Sequence, residues 1–388
     1  MSPPDAPASV GLAESSVQER TFAWSGDSDG DRMRWFADGL GRALVDHGYE
    51  QQPAPGPEVQ VVLHHLDPDN ARPYRRKSAP TFVVALAPMA APPDDVLRAG
   101  YPLLVRGLAN LCVMVSPSAR DGAAVAHFVT LEQGTYAVEH RGDDRSFFTE
   151  VFDRIEPLAS SRLVIANEFR TDLPVDLRDG DEQTRQIGRA GARLDALDLL
   201  PAAFPIEEIL SDRDLRHVKL LYGIGGLSYG NVSARRQPPT ESAYGPEFWM
   251  SASGVDKGAL EDIGKHILLV RGYDDERDCM VLSVPPSMKP NRVSVDAIEH
   301  WMIYREHPEV GAILHVHAWM DGISSTEINY PCGTVELAGA VAELVRRAPD
   351  PSRAVVGQRN HGLTITGLSL DEIFERIEGK LVRNVPMD

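Results

Sequence analysis

Short apolar runs separated by helix-like segments pattern most of this chain. VQVVLHHL, TFVVALA, LCVMVS, HFVTL and RLVIANEF, all before residue 170, each hold a few consecutive apolar positions bounded by polar or turn-forming residues. That length and that punctuation predict buried or half-buried strands. Between them, FADGLGRALVDHG and DDVLRAGYPLLVRGLA space their apolar residues three and four apart, which predicts helices. Alternating strands and helices point to an α/β layer domain over residues 31–175. Residues 1–30, rich in Pro, Ser, Gly and Asp, read as a loose tail.

The polar stretch DLPVDLRDGDEQTRQIGRAG and the Pro-containing ALDLLPAAFPIEEI suggest a linker over 176–204. A second α/β unit is expected over 205–388. It opens with the helical IEEILSDRDLRHVKLLYGIGG and closes with SLDEIFERIEGKLV, where Ser369 and Glu372 have capping-box spacing. FWMSAS, HILLVRG, CMVLSV, GAILHVH, AVVGQ and LTITG are its strand-like pieces. SVDAIEHWMIYREHPEV reads as a helix with Ser294 at its N-cap and Ile298, Trp301, Met302 and Ile303 on its buried side.

Composition changes little in that picture. The chain has 388 residues, 43% apolar and 25% charged, as ordinary globular proteins do. A net charge of −18 argues against general affinity for nucleic acid or anionic membranes. Cys112, Cys279 and Cys332 are odd in number and far apart, so no disulfide framework is expected and a reducing, cytoplasmic setting fits. No apolar run approaches the roughly 20 residues of a membrane span, and MSPPDAPASVGLAESS lacks the pattern of a secretory signal.

Candidate chemistry gathers in the second half. His315 and His317 in AILHVHAWM stand two apart in a strand, so they share one face and can become adjacent ligands of one ion. An isolated H-x-H is also what a pair of surface histidines gives. The company raises its weight: His361 in RNHGLTITG precedes a glycine at an expected turn, and Asp296 lies upstream in SVDAIEH. Three imidazoles and a carboxylate make the N/O donor set that Zn²⁺ favours.

Five motifs then resemble, in order, the class II aldolase/adducin family, which includes fuculose-phosphate aldolase and ribulose-phosphate 4-epimerase. They are GLSYGNVSAR, SASGVDKGAL, SVDAIEHWMIYREHPEVGAILHVH, GTVELAGAVAELV and RNHGLTITG. The resemblance implies an α/β/α sandwich around a mostly antiparallel sheet for 205–388, assembled as a homo-oligomer, a tetramer in the family. It implies a divalent ion on His315, His317 and His361, most simply Zn²⁺, with Mn²⁺, Fe²⁺ or Co²⁺ as alternatives. Asp296 falls on the family's catalytic acidic position, with Glu299 and His300 as structural neighbours. Ser228, Asn231, Ser253, Gly254 and Ser294 match the substrate pocket, and Tyr330 lies where a proton donor from a neighbouring subunit is expected.

The implied reaction is lyase chemistry: aldolase-type cleavage of a small hydroxy-carbonyl compound, sugar phosphates among them, through a metal-stabilised enediolate. Epimerisation, dehydration and decarboxylation use the same kind of site, and adducin-like members use the fold for interaction alone. Two departures set this chain apart from phosphate-binding relatives. Val295 replaces a frequent second hydroxyl, and the segments after His317 and after His361 are short.

Three further features are weighed and set aside. His64 and His65 read as a strand end, RPYRRK as a solvated loop, and Cys332 as a packed residue. No glycine-rich nucleotide fingerprint follows a first-half strand. The first unit itself resembles no family.

Overall fold

A computed structural model of the protein describes residues 20–27, 30–131, 134–201, 206–222, 228–286, 288–383 and 385–387. The expected tail lies outside the described residues as far as position 19. From position 20 the described residues are not a tail. TFAWS forms strand β1 (Thr21–Ser25), because the alternation of Phe22 and Trp24 with smaller residues outweighs the polar average of its surroundings.

The first sheet is built from β1, helix α1 (Asp31–Asp46), β2 (Glu50–Gln51), β3 (Val61–His65), β4 (Phe82–Pro88), α2 (Val96–Arg106), β5 (Leu111–Pro117), β6 (Ala124–Thr130), β7 (Thr135–Glu139) and α3 (Asp144–Ser160). Its order is β2-β1-β3-β4-β5-β6-β7, parallel from β2 to β5 and antiparallel thereafter. The continuous apolar runs are explained by burial on both faces. Val84 and Leu86 of β4 enter the core beneath α1 and α3, while Val83, Ala85 and Ala87 enter the core beneath α2.

The remaining elements are β8 (Ala166–Arg170), α4 (Glu182–Ala196), α5 (Ile206–Ile209), α6 (Asp212–Tyr222), β9 (Asn231–Arg235), β10 (Glu241–Ser242), β11 (Gly245–Pro246), β12 (Phe248–Ser251), β13 (Ile267–Asp274), β14 (Cys279–Ser283), α7 (Ala297–Glu306), β15 (Ala312–Val316), α8 (Val335–Arg347), β16 (Val355–Gln358), β17 (Gly362–Gly367) and α9 (Leu370–Ile377). Eight of the strands form one sheet in the order β16-β17-β15-β9-β12-β13-β14-β8. Every neighbouring pair is antiparallel except β14 with β8. Helices α4 and α9 pack together on one side and α7 and α8 on the other. This is the mostly antiparallel α/β/α sandwich that the motifs imply.

Three local expectations need correction. RLVIANEF was expected among the first strands, yet β8 pairs with β14 of the second sheet, whose edge it completes. The expected linker holds α4, whose Asp181 side chain accepts from the Thr184 N–H while Thr184 Oγ1 accepts from the Asp181 N–H. Its Ile187, Ala190 and Leu194 face the second core, a helical stripe that charged neighbours disguise in the sequence. Helices α5 and α6 and the turn between them, expected with the second unit, instead place Ile206, Leu210 and Val218 in the core beneath α2. There Arg106 donates from Nε and Nη2 to Asp214 Oδ2, at 3.0 and 2.8 Å.

The capping box is half present. Ser369 Oγ accepts from the Glu372 N–H, but the Glu372 carboxylate reaches the Leu368 N–H rather than that of Ser369. Among the described residues no helix is long and apolar enough to cross a membrane.

Candidate metal centre

β15 is a central strand, flanked by β9 and β17 and buried along its whole length. It carries His315 inside the sheet and ends at Val316, so His317 stands just past its end. Period-two alternation brings the two rings to 5.2 Å between centroids.

His361 arrives from the hairpin between β16 and β17. Asn360 has φ of +57°, a left-handed conformation that Asn tolerates better than most residues. Gly362 lies so close to β15 that a Cβ there would stand 2.2 Å from the Val316 carbonyl oxygen. The N-H-G motif thus has a physical reading. Asn makes the turn, Gly permits the approach, and the histidine between them meets the other two rings at 5.0 and 4.6 Å.

One ligand-type atom from each of His315, His317 and His361 lies within 4.8 Å of the others. Among the described residues no other cluster of His, Cys, Asp or Glu could hold an ion. His315 and His361 are buried and His317 is half-buried. His315 Nδ1 stands 3.0 Å from the Leu363 carbonyl oxygen. A carbonyl only accepts, so Nδ1 holds the proton and Nε2 presents its lone pair. Nε2 is buried and has no partner, and the same is true of His361 Nδ1.

Burial pushes all three imidazoles down, His315 to about 4 and His361 to about 3, and His317 well below its usual range. Their mutual repulsion, when charged, adds to this. All three are therefore neutral at physiological pH, the state in which imidazole binds a metal. Orphaned buried nitrogens on converging neutral imidazoles fit a divalent ion of borderline softness such as Zn²⁺.

Asp296 is the carboxylate of the site. It stands at the N-cap of α7, two residues later than Ser294, the expected cap, and its side chain does not cap the helix. The carboxylate turns inward instead, where Oδ2 accepts from Asn231 Nδ2 at 2.6 Å. Oδ1 is buried without a partner. Burial pushes Asp296 up from the ordinary carboxylate range, against the opposing influence of His361, Asn231, the Gly333 N–H and Lys257.

The other sequence candidates divide. Gly230 leads into β9 with φ of +72°, and a Cβ there would stand 2.5 Å from the His315 carbonyl oxygen. Its neighbour Asn231 pairs in register with His315. Ser228 is turned to other work: its Oγ accepts from the Lys257 N–H at 2.8 Å and lies 3.4 Å from Asp256 Oδ1. Ser253 is half-buried and Gly254 exposed at the turn after β12, while Ser294 is buried. Tyr330 is half-buried, and burial followed by Glu336 and Glu156 raises its phenol.

Glu299 and His300 sit behind the cluster. Glu299 accepts from Thr364 Oγ1 at 2.5 Å and from Gln358 Nε2 at 2.8 Å. His300 Nδ1 bonds Ser233 Oγ at 2.7 Å. In the first sheet, His64 bonds the Arg72 carbonyl oxygen and His65 stacks on Trp24. Arg76 and Lys77 of RPYRRK hold Asn110 and the Pro55 carbonyl oxygen.

Sequence reasoning passed over two residues beside the cluster. The Tyr229 ring lies 5.5 Å from that of His317. Lys257 is 4% exposed and its Nζ donates to the Ser228 carbonyl oxygen at 2.6 Å. Burial pushes its ammonium down to about 8, with Asp296 and Asp256 opposing. A lone lysine beside Asp256 in the mostly small ASGVDKGAL was the available signal, but lysines are mostly exposed and the pattern alone does not single it out.

Residues 216–326 match the class II aldolase and adducin N-terminal domain family. That match spans the first two histidines and Asp296, so the resemblance read from the motifs stands for that segment. No curated protein matches the chain. Among solved structures, a putative aldolase/epimerase/decarboxylase from Klebsiella pneumoniae is 16% identical, over 51% of this chain and 84% of that one, with a TM-score of 0.32. L-fuculose 1-phosphate aldolase is 16% identical over 51% and 81%, with a TM-score of 0.34. An aldolase II superfamily protein from Pseudomonas syringae is 19% identical over 52% and 74%, with a TM-score of 0.32.

Proposed function

We propose that this chain is a divalent-metal-dependent lyase that breaks or forms a C–C bond in a small hydroxy-carbonyl substrate. The observation that carries the reading is the convergence of His315, His317 and His361, with orphaned ring nitrogens on His315 and His361, and the free oxygen of Asp296. A divalent ion, Zn²⁺ first by donor type, supplies Lewis acidity toward the substrate's carbonyl and neighbouring hydroxyl oxygens.

The protein's own residues do the rest. Asn231 fixes the Asp296 carboxylate through Oδ2, so Oδ1 is the atom that takes or returns the substrate's proton. A carboxylate raised by burial works nearer neutral pH than an exposed one. The carbonyl of Leu363 orients the His315 ring, and the Gln358 and Thr364 side chains fix the Glu299 carboxylate. Tyr330 is the proposed second proton donor, delivered to a neighbouring copy in a homo-oligomer, tetrameric by family resemblance. Epimerisation, dehydration and decarboxylation draw on the same residues and differ in the substrate supplied.

The test is metal content and turnover together. Purified protein is expected to carry or take up one divalent ion per chain and to cleave a member of a panel of hydroxy-carbonyl compounds. Protein that takes up no zinc, manganese, iron or cobalt ion at micromolar concentrations refutes the reading.

A further inference from the structure

Lys257 carries a buried positive charge that the proposed reaction does not yet use. An ammonium has three donors. Among the described residues one of them is satisfied, by the Ser228 carbonyl oxygen, and no carboxylate bonds to it. Asp296 and Asp256 act on it without bonding to it, so the buried ammonium is incompletely satisfied, a state that persists where something else requires it.

Its surroundings are built rather than incidental. Gly191 of α4 packs so tightly on this turn that a Cβ would stand 1.9 Å from the Lys257 carbonyl oxygen. The Asp256 carboxylate accepts from the Gly258 N–H at 2.9 Å and closes the turn.

Four consecutive residues then connect Lys257 to the histidine cluster. Ser228 accepts its ammonium, Tyr229 lies against His317, Gly230 fits beneath the His315 carbonyl, and Asn231 holds Asp296. The charge of Lys257 also acts on Asp296, His315 and His317, so it lies near the cluster.

Two of the five groups expected to hold a phosphate are meanwhile occupied. Ser228 Oγ accepts from the Lys257 N–H and faces Asp256, and the Asn231 amide donates to Asp296. Val295 offers no donor. The charge that Lys257 adds to the remaining neutral groups is a single ammonium, which matches a single negative charge.

We propose that Lys257 binds a carboxylate of the substrate, so that the substrate class is a hydroxy- or oxo-carboxylic acid rather than a phosphorylated or neutral sugar. This rests on the histidine cluster being the substrate site, and the test separates the two. The full chain, with and without zinc, is titrated calorimetrically with glycolate, with its neutral analogue glycolamide and with inorganic phosphate, as wild type, Lys257→Met and Lys257→Gln.

Glycolate is expected to bind the wild type more tightly than phosphate does. Both variants are expected to lose about tenfold or more in glycolate affinity, with glycolamide affinity and zinc content unchanged. Lys257→Met is also expected to melt higher than wild type, because the incompletely satisfied buried charge is gone. A lysine kept only for its bond to Ser228 would give the opposite shift.

Equal glycolate affinity in wild type and variants, tighter binding of phosphate, or no glycolate binding in either metal state overturns the proposal. Failure of every form to take zinc sinks the metal reading alone, and the metal-free titration still decides Lys257. If neither variant folds, the wild-type order of glycolate over phosphate decides it.

Discussion

Asn231 donates to one oxygen of Asp296 at 2.6 Å and leaves the other buried without a partner. The two residues lie on different elements, β9 and the start of α7, and the bond between them explains why Asp296 does not cap its helix. Asp296→Asn is expected to keep zinc and lower turnover by roughly 10²–10⁴-fold, the usual range for a lost acid–base group. The same variant is expected to melt higher. A carboxyl raised in the folded state favours folding below its unfolded pKa and loses that contribution as pH rises through the folded value. At neutral pH the buried charge is a net penalty, and the amide removes it. A lower melting temperature with full turnover would rule out both assignments.

Zinc is expected to stabilise the folded chain. At a free concentration a hundredfold above its dissociation constant, the gain is about 2.7 kcal/mol. His315→Ala and His361→Ala are expected to remain folded and to show no zinc-dependent rise in melting temperature. A wild-type shift that persists undiminished in His361→Ala contradicts a three-histidine site.

The metal-free chain is expected to weaken in acid through these same imidazoles. Their folded pKa values lie below the unfolded value, so their contribution is present above about pH 6.5 and is lost as pH falls toward about 3 for His361 and about 4 for His315. Over that window the unfolded chain binds protons that the folded chain excludes. His361→Asn is therefore expected to flatten the pH dependence of unfolding free energy by about 1.4 kcal/mol per unit between roughly pH 5.5 and 4. Urea midpoints of chelator-treated protein measure it, and identical slopes for the two proteins count against the buried, neutral state of His361.

Gly362→Ala is expected to destabilise the chain by about 3 kcal/mol or more, since its Cβ would collide with the Val316 backbone oxygen. Because Gly362 follows His361 directly, zinc affinity should fall as well. An alanine variant with normal stability and normal zinc binding would show that the turn has room to relax.

Much of this was legible in the sequence, and the particular residues show why. His315, His317 and His361 could be paired on paper because strand alternation and the tolerance of Asn360 and Gly362 for a tight turn are local rules. Sheet strands such as β4 and β5 announced themselves by apolar runs buried on both faces. What failed was tertiary. Nothing local says that Ala166–Arg170 pairs with Cys279–Ser283, or that the Ile206, Leu210 and Val218 stripe covers α2 rather than the nearer sheet. Lys257 escaped for the same reason, as its burial depends on Gly191 and Ser228, each about thirty residues or more away in the chain.

The path of the chain between its two sheets has a consequence for synthesis. After α3 it enters the second sheet at β8 and α4, returns to the first sheet as α5 and α6, and only then lays down β9. The face of α2 therefore waits, apolar and uncovered, until residue 218 has left the ribosome. A cut placed in the polar stretch near residue 180 would strand that face on one fragment and its cover on the other. The two sheets are laced together by the order in which they are made, and neither half is expected to be expressed in soluble form alone.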